Sequence, residues 1–180
     1  MRPIRVTMVG FGIFADEVTV DFEGVDVFAL VGPTGSGKST IIDAICFALY
    51  GSVPRHDDRR AVAGAVHVLS TEAKVALEFE LGGVRYVAVR VIRRDAKGRA
   101  STREARLEVV DGDVLAGSAR EMEPAVVALL GLDFDQFTRA VVLPQGEFAR
   151  FLRAESKERG QLLQRLFATE RFQAVEEWLA

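Results

Sequence analysis

Residues 32–39 read Gly-Pro-Thr-Gly-Ser-Gly-Lys-Ser and satisfy the pattern G-x-x-x-x-G-K-[ST]. An apolar run, VDVFALVG (25–32), precedes them, and an apolar helical pattern ending at Tyr50-Gly51 follows. This order of strand, glycine loop and helix predicts an α/β P-loop nucleotide-binding fold. Gly32, Pro33, Thr34, Gly35, Ser36 and Gly37 make a tight loop whose N–H groups turn inward toward phosphate oxygens. The helix that starts beside Gly37 adds its positive dipole end. Lys38 is expected on the β- and γ-phosphates, the Ser39 hydroxyl on Mg2+, and Thr40 on the α-phosphate. Asp43 is read as a solvated helix charge in preference to an outer-shell magnesium group, and Cys46 as packing.

The rest of the chain supplies a sheet and two helical stretches. Ile4, Val6 and Met8 alternate with polar residues, as do Val18, Val20 and Phe22, which predicts two half-buried strands joined by a turn at GFGIFADE. The run 25–32 is nearly all apolar, as in a strand buried on both faces. Residues 52–71 carry no clean period and read as irregular, with an exposed loop at SVPRHDDRR. Alternation through Val75–Leu81 and again through Val84–Ala88, with Gly82-Gly83 between them, predicts a hairpin. ARLEVVDG (105–112) is a third strand. Met122, Val126, Leu129 and Leu130 then share one helical face, DFDQFTRAVVLPQGEF (133–148) returns to strand and loop, and the pattern from Phe148 to Ala180 is helical with Ser156 as an N-cap.

A P-loop needs an acidic residue at the end of a second apolar strand to hold magnesium. Asp111 ends one apolar run, but Glu108 interrupts it and Asp111-Gly112 is a turn signal, so it reads as a hairpin turn. No N/T-K-x-D base-reading motif and no L-S-G-G signature occur. Gln145 follows a short apolar segment and precedes a helix. Its amide suits either a magnesium and water contact or a helix cap, and chemistry alone leaves both open.

GFGIFADEVTVDF (10–22), GPTGSGKSTIIDAICFALYG (32–51), PRHDD, FDQFTRAVVLPQGEFARFL and KERGQLLQRLF together resemble the SbcC family of SMC-like, ABC-type ATPases. The resemblance runs over essentially the whole chain. It implies that residues 1–155 are the N-terminal lobe of an ATPase head with a mixed sheet, and 156–180 the foot of a coiled coil. It assigns Gln145 to magnesium and the attacking water. It implies Mg-ATP sandwiched between two heads of a homodimer, a C-terminal half of the head that brings the remaining motifs, an SbcD-type nuclease partner, and double-stranded DNA. Neither hook cysteines nor those remaining motifs lie in these residues, so the chain by itself is expected to hydrolyse little.

Charge and cysteine usage bear on what is left. The formal charge is −3, yet residues 90–106 carry seven Lys/Arg against Asp95 and Glu104. Two readings stand: a DNA-backbone surface through Arg93, Arg94, Lys97 and Arg99, or a solvated basic loop. No aromatic residue interleaves the run, so base stacking is not indicated. A single cysteine fits a reducing, cytoplasmic compartment, and no apolar run is long enough for a membrane span. The competing classes are a RecN- or SMC-type repair ATPase without a nuclease, an ABC transporter cassette, and a nucleotide-sensing module without catalysis. Coil length and a C-x-x-C beyond residue 180 discriminate them.

Overall fold

The computed structural model describes residues 1–54 and 59–142. The chain divides into two compact units, Met1–Gly131 and Leu132–Ala180. Among the described residues the first unit is a six-stranded sheet with two α-helices and a short 3-10 helix, Arg59–Ala65. Its strands are β1 (Arg2–Val9), β2 (Val18–Asp21), β3 (Glu72–Leu81), β4 (Val84–Arg94), β5 (Ala100–Val109) and β6 (Val114–Ala116). Their order across the sheet is β2-β1-β3-β4-β5-β6, and every pairing among the described residues is antiparallel.

Alternation decides the two faces. Ala73, Val75, Leu77 and Phe79 of β3 are buried, and Leu77, Val75 and Ala73 lie opposite Ala88, Arg90 and Ile92 of β4. Those three in turn meet Leu107, Ala105 and Thr102 of β5. Ile4, Val6 and Met8 of β1 continue the same buried face. The expected hairpin is present with its Gly82-Gly83 turn, and β5 begins at Ala100, earlier than the sequence pattern suggests.

Two helices cover the apolar face. The P-loop helix α1 (Lys38–Tyr50) packs against β1, β3 and β4, and α2 (Ala119–Leu130) against β5 and β6. Phe47 of α1 meets Phe11 with ring centroids 5.3 Å apart. Gly51 ends α1 at φ +70 and its N–H donates to Phe47 O at 2.8 Å, a left-handed cap that a Cβ would strain. Ser118 caps α2, accepting from the Glu121 N–H, while the Glu121 carboxylate accepts from the Gly117 N–H. Asp111, at φ +58, sits in the β5–β6 turn, as its Asp-Gly signal indicates, and not at the end of a buried strand.

Three expectations are corrected. Residues 25–32 form no strand among the described residues. Val27 and Val31 are 89% and 92% exposed. An apolar run earns burial on both faces only when neighbouring strands flank it, and the sheet described here ends at β2. In the second unit, the stretch 133–142 is helical where strand and loop were expected: α3 (Phe134–Phe137) runs into a π-turn, Thr138–Val142. A capping box sets its start, with Asp133 accepting from the Gln136 N–H and Gln136 accepting from the Asp133 N–H. The Thr138 hydroxyl then bonds back to Phe134 O at 2.9 Å. The third correction, at Asp43, belongs to the site. Gln145, Ser156, the PRHDD loop residues Arg55 to Asp58, and the boundary at 155/156 lie outside the described residues.

Candidate nucleotide site

Helix α1 starts at Gly37 with φ +91, and no side chain caps it. The first N–H groups of any helix lack intrahelical partners. Here they are left to the loop Gly32–Gly37, with no acidic residue in the first turn to neutralise the dipole. A Cβ at Gly37 would stand 2.5 Å from Phe14 Cζ and 2.9 Å from Ile13 Cδ1, so those two side-chain tips would have to shift. The β1–β2 turn is thereby pressed against the N-terminus of α1. Gly35, by contrast, has open space around it at φ +85.

Lys38 folds over its own loop. Its ammonium donates to Gly32 O at 2.8 Å and Pro33 O at 2.7 Å, with Ser36 Oγ at 3.4 Å. The side chain therefore lies over the mouth of the loop, on flexible methylenes that can swing to a phosphate. Ser39 is exposed and Thr40 is buried.

Thr40 also lines a cavity of about 310 Å³ with Phe11, Gly12, Ile13, Asp43, Val53, Gly64 and Ala65. Non-local contacts assemble these walls. Gly12 N donates to Ala65 O at 2.7 Å, His67 N to Gly10 O at 2.8 Å, and Phe11 bridges to Val66. The sequence pattern shows only a turn at 10–17 and an irregular stretch at 52–71, and gives neither a part in the site. Asp43 is 5% exposed. It is not a solvated helix charge, because α1 is buried on almost every side between the sheet, α2 and this cavity. Cys46 is buried too, and desolvation pushes its thiol up to about 12, with the Asp43 charge adding to the effect. It is packing, as expected.

The residues present fit a nucleotide phosphate with magnesium. The donors are an uncapped helix start, an ammonium and two hydroxyls, all suited to anionic oxygen or, for Ser39, to a hard cation. Among the described residues no group of three or more His, Cys, Asp or Glu side chains forms a metal cluster. A cation held by Ser39 would take phosphate oxygens into its shell as well.

The four basic candidates fall into different surroundings. Arg93 and Lys97 are exposed. Arg94, on the opposite face of β4 from Arg93, donates to the carbonyls of His67, Val68 and Ser70 at 3.2, 3.1 and 2.9 Å, and reaches Val66 O at 3.5 Å. Arg99 is tied to Asp95 at 3.0 Å within the β4–β5 turn. Asp95 also accepts from the Lys97 and Arg99 N–H groups, and these contacts hold its carboxyl below the usual range.

Sheet, glycine loop and the helix that follows it define the class: a lobe with the P-loop NTPase fold. A solved structure from work on ATP-driven dimerization and DNA-stimulated activation of SMC ATPases shares this fold, with a TM-score of 0.62 at 22% identity over 92% of this chain and 99% of that one. The chain belongs to the AAA domain family, which matches residues 5–177. It is similar to the SbcC component of the SbcCD nuclease of Bacillus subtilis, 42% identical over 96% of this chain and 16% of the relative, and to the same component in Deinococcus radiodurans, 38% identical over 100% and 20%. A probable DNA double-strand break repair Rad50 ATPase of Aquifex aeolicus is 37% identical over 97% of this chain and 17% of that protein. The chain thus spans a fifth or less of the length of these relatives.

Proposed function

We propose that this chain is the ATP-binding lobe of an SMC-like ATPase head that serves the processing of double-strand DNA ends together with a nuclease partner. The observation that carries the reading is the uncapped start of α1 at Gly37, with Lys38 folded over a glycine loop. Residues Gly32–Thr40 cradle the phosphates. Lys38 leaves Gly32 O and Pro33 O for the β- and γ-oxygens, and Ser39 ligates magnesium. When bound, Mg2+ neutralises charge on the phosphate oxygens. Gln145 is assigned to the metal and the attacking water by family resemblance alone. The cavity beside Thr40 has the position and partly apolar lining to take the nucleoside.

The relatives' names supply the wider context: components of SbcCD nucleases and a Rad50-type repair ATPase. ATP hydrolysis belongs in this reading to two engaged heads, each completed by a C-terminal half. The exposed run at 25–31 supports that second half, because strands supplied from outside this chain would cover Val27 and Val31. In this reading the exposed Arg93 and Lys97 meet a DNA backbone, with Arg94 and Arg99 adding charge nearby. The reading places the protein in the cytoplasm, with Cys46 reduced.

Light scattering on the full-length protein tests head engagement. Mg-ATP should raise the mass of an intact head pair in the wild type and not in Lys38→Ala. An unchanged mass distribution in the wild type, at nucleotide concentrations that saturate binding, removes ATP-driven engagement from the proposal.

A further inference from the structure

Arg90 is a buried arginine, at 4% exposure in the middle of β4. A guanidinium costs several kcal/mol to desolvate unless hydrogen bonds replace its water. Arg90 recovers them from the far end of the P-loop helix. Its Nε donates to Ala48 O at 3.1 Å and its Nη2 to Leu49 O at 3.0 Å. These are last-turn carbonyls without intrahelical partners, at the negative end of the helix dipole. Gly51 leaves room for the fork, since a Cβ there would come within 3.0 Å of Arg90 Nη1. Burial lowers the pKa of Arg90 to about 10, with Glu123 acting in the opposite sense, so it remains a cation at neutral pH.

Four residues along the same strand and on the same face, Arg94 does the equivalent for a second element. Its guanidinium grips the carbonyls of His67, Val68 and Ser70. That loop follows directly on Gly64 and Ala65, which line the cavity beside Thr40, and it is stitched to the β1–β2 turn through Ala65 O and Gly10 O. The two arginines are about 13 Å apart along one strand at strand rise. β3 and β5 pair with it on both sides, so the strand is stiff.

We propose that Arg90 and Arg94 are positioning residues for the nucleotide: from one rigid strand they hold the P-loop helix by its C-terminal carbonyls and the wall loop by its own, and so set the width of the nucleotide cavity. A helix transmits an axial displacement along its length, so a shift at Ala48 and Leu49 reaches Lys38–Thr40. Lysine cannot replace either arginine fully, because a single ammonium does not span carbonyls on successive residues as a planar fork does. The proposal rests on the reading of Gly32–Thr40 as a nucleotide site.

The test is titration of full-length protein with a fluorescent N-methylanthraniloyl ATP and magnesium, at a temperature where circular dichroism shows every variant folded. Arg90→Lys and Arg94→Gln should each raise Kd three- to tenfold and raise KM for hydrolysis with little change in kcat, and Arg90→Met should do more. Phe79→Leu, which loosens the stack of Phe79 on Tyr86 away from the cavity, serves as a control of comparable loss in Tm and should leave Kd unchanged. If the arginine variants lose Tm but bind as the wild type does, the two residues are structural caps only and the proposal fails. It also fails if Phe79→Leu weakens binding as much as they do. Should Arg90→Met not fold, Arg90→Lys and Arg94→Gln decide. Failure of the underlying reading looks different: the wild type does not bind, or Lys38→Ala binds equally well, and the positioning claim then falls with it.

Discussion

At the scale of single residues, Gly37 and Cys46 show how burial translates into measurable behaviour. Gly37 combines φ +91 with a Cβ position 2.5 Å from Phe14 Cζ, so Gly37→Ala must strain the backbone and push aside the side-chain tips of Phe14 and Ile13 in the β1–β2 turn. A cost of about 1–3 kcal/mol is expected, and urea unfolding of the variant beside the wild type measures it; a loss below about 0.5 kcal/mol would mean the turn gives way freely. Cys46 titrates near 9.0 when unfolded and near 12 in the fold. Between those values the unfolded chain releases a proton that the native one keeps, so stability falls as pH rises from about 9 toward 12. Cys46→Ala removes this contribution, and its stability should decline less steeply over that window than the wild type's. Parallel curves for the two proteins would show that the thiol is not desolvated as described.

Elements carry their own test in the start of α2, where Ser118 and Glu121 satisfy N–H groups reciprocally. Ser118→Ala should cost about 1 kcal/mol, read as a lower urea midpoint at constant m-value, and an unchanged midpoint would show the cap to be idle. Elements whose signals are local are the legible ones. The Val75–Leu81 and Val84–Ala88 alternation foretells β3 and β4, and the P-loop foretells α1 because all its residues are consecutive. Residues 25–32 mislead because an apolar run reports how buried a segment can become, not whether neighbours are present to bury it. Residues 139–142 mislead because a β-branched pair, Val141-Val142, outweighs the capping box eight residues upstream. Arg90 belongs to a basic run in the sequence, although its register opposite Val75, on the face of Leu77 and Ala73, puts it inside. The cavity walls at Gly10–Ile13 and Gly64–Ala65 are not legible at all. They meet through backbone hydrogen bonds between segments some fifty residues apart, and no local pattern encodes such a meeting.

For the whole molecule, a folded sheet-and-helix unit carries an exposed apolar run on the segment leading into its P-loop. Side chains 89% and 92% exposed contribute almost no burial, so Val27→Lys with Val31→Lys should leave the Tm of the 180-residue chain within about a degree or two while raising its solubility. In the full-length protein the same pair should destabilise the head, and equal Tm values there for variant and wild type would show that nothing covers the run. Function turns on a narrower proposal, that Gly32–Thr40 bind Mg-ATP through the lysine that folds over the loop. Isothermal titration of Mg-ATP into full-length wild-type protein and Lys38→Ala reads this without intermediaries. Saturable binding by the wild type and at least a tenfold loss in the variant are expected, and equal affinity in the two proteins would contradict the nucleotide site.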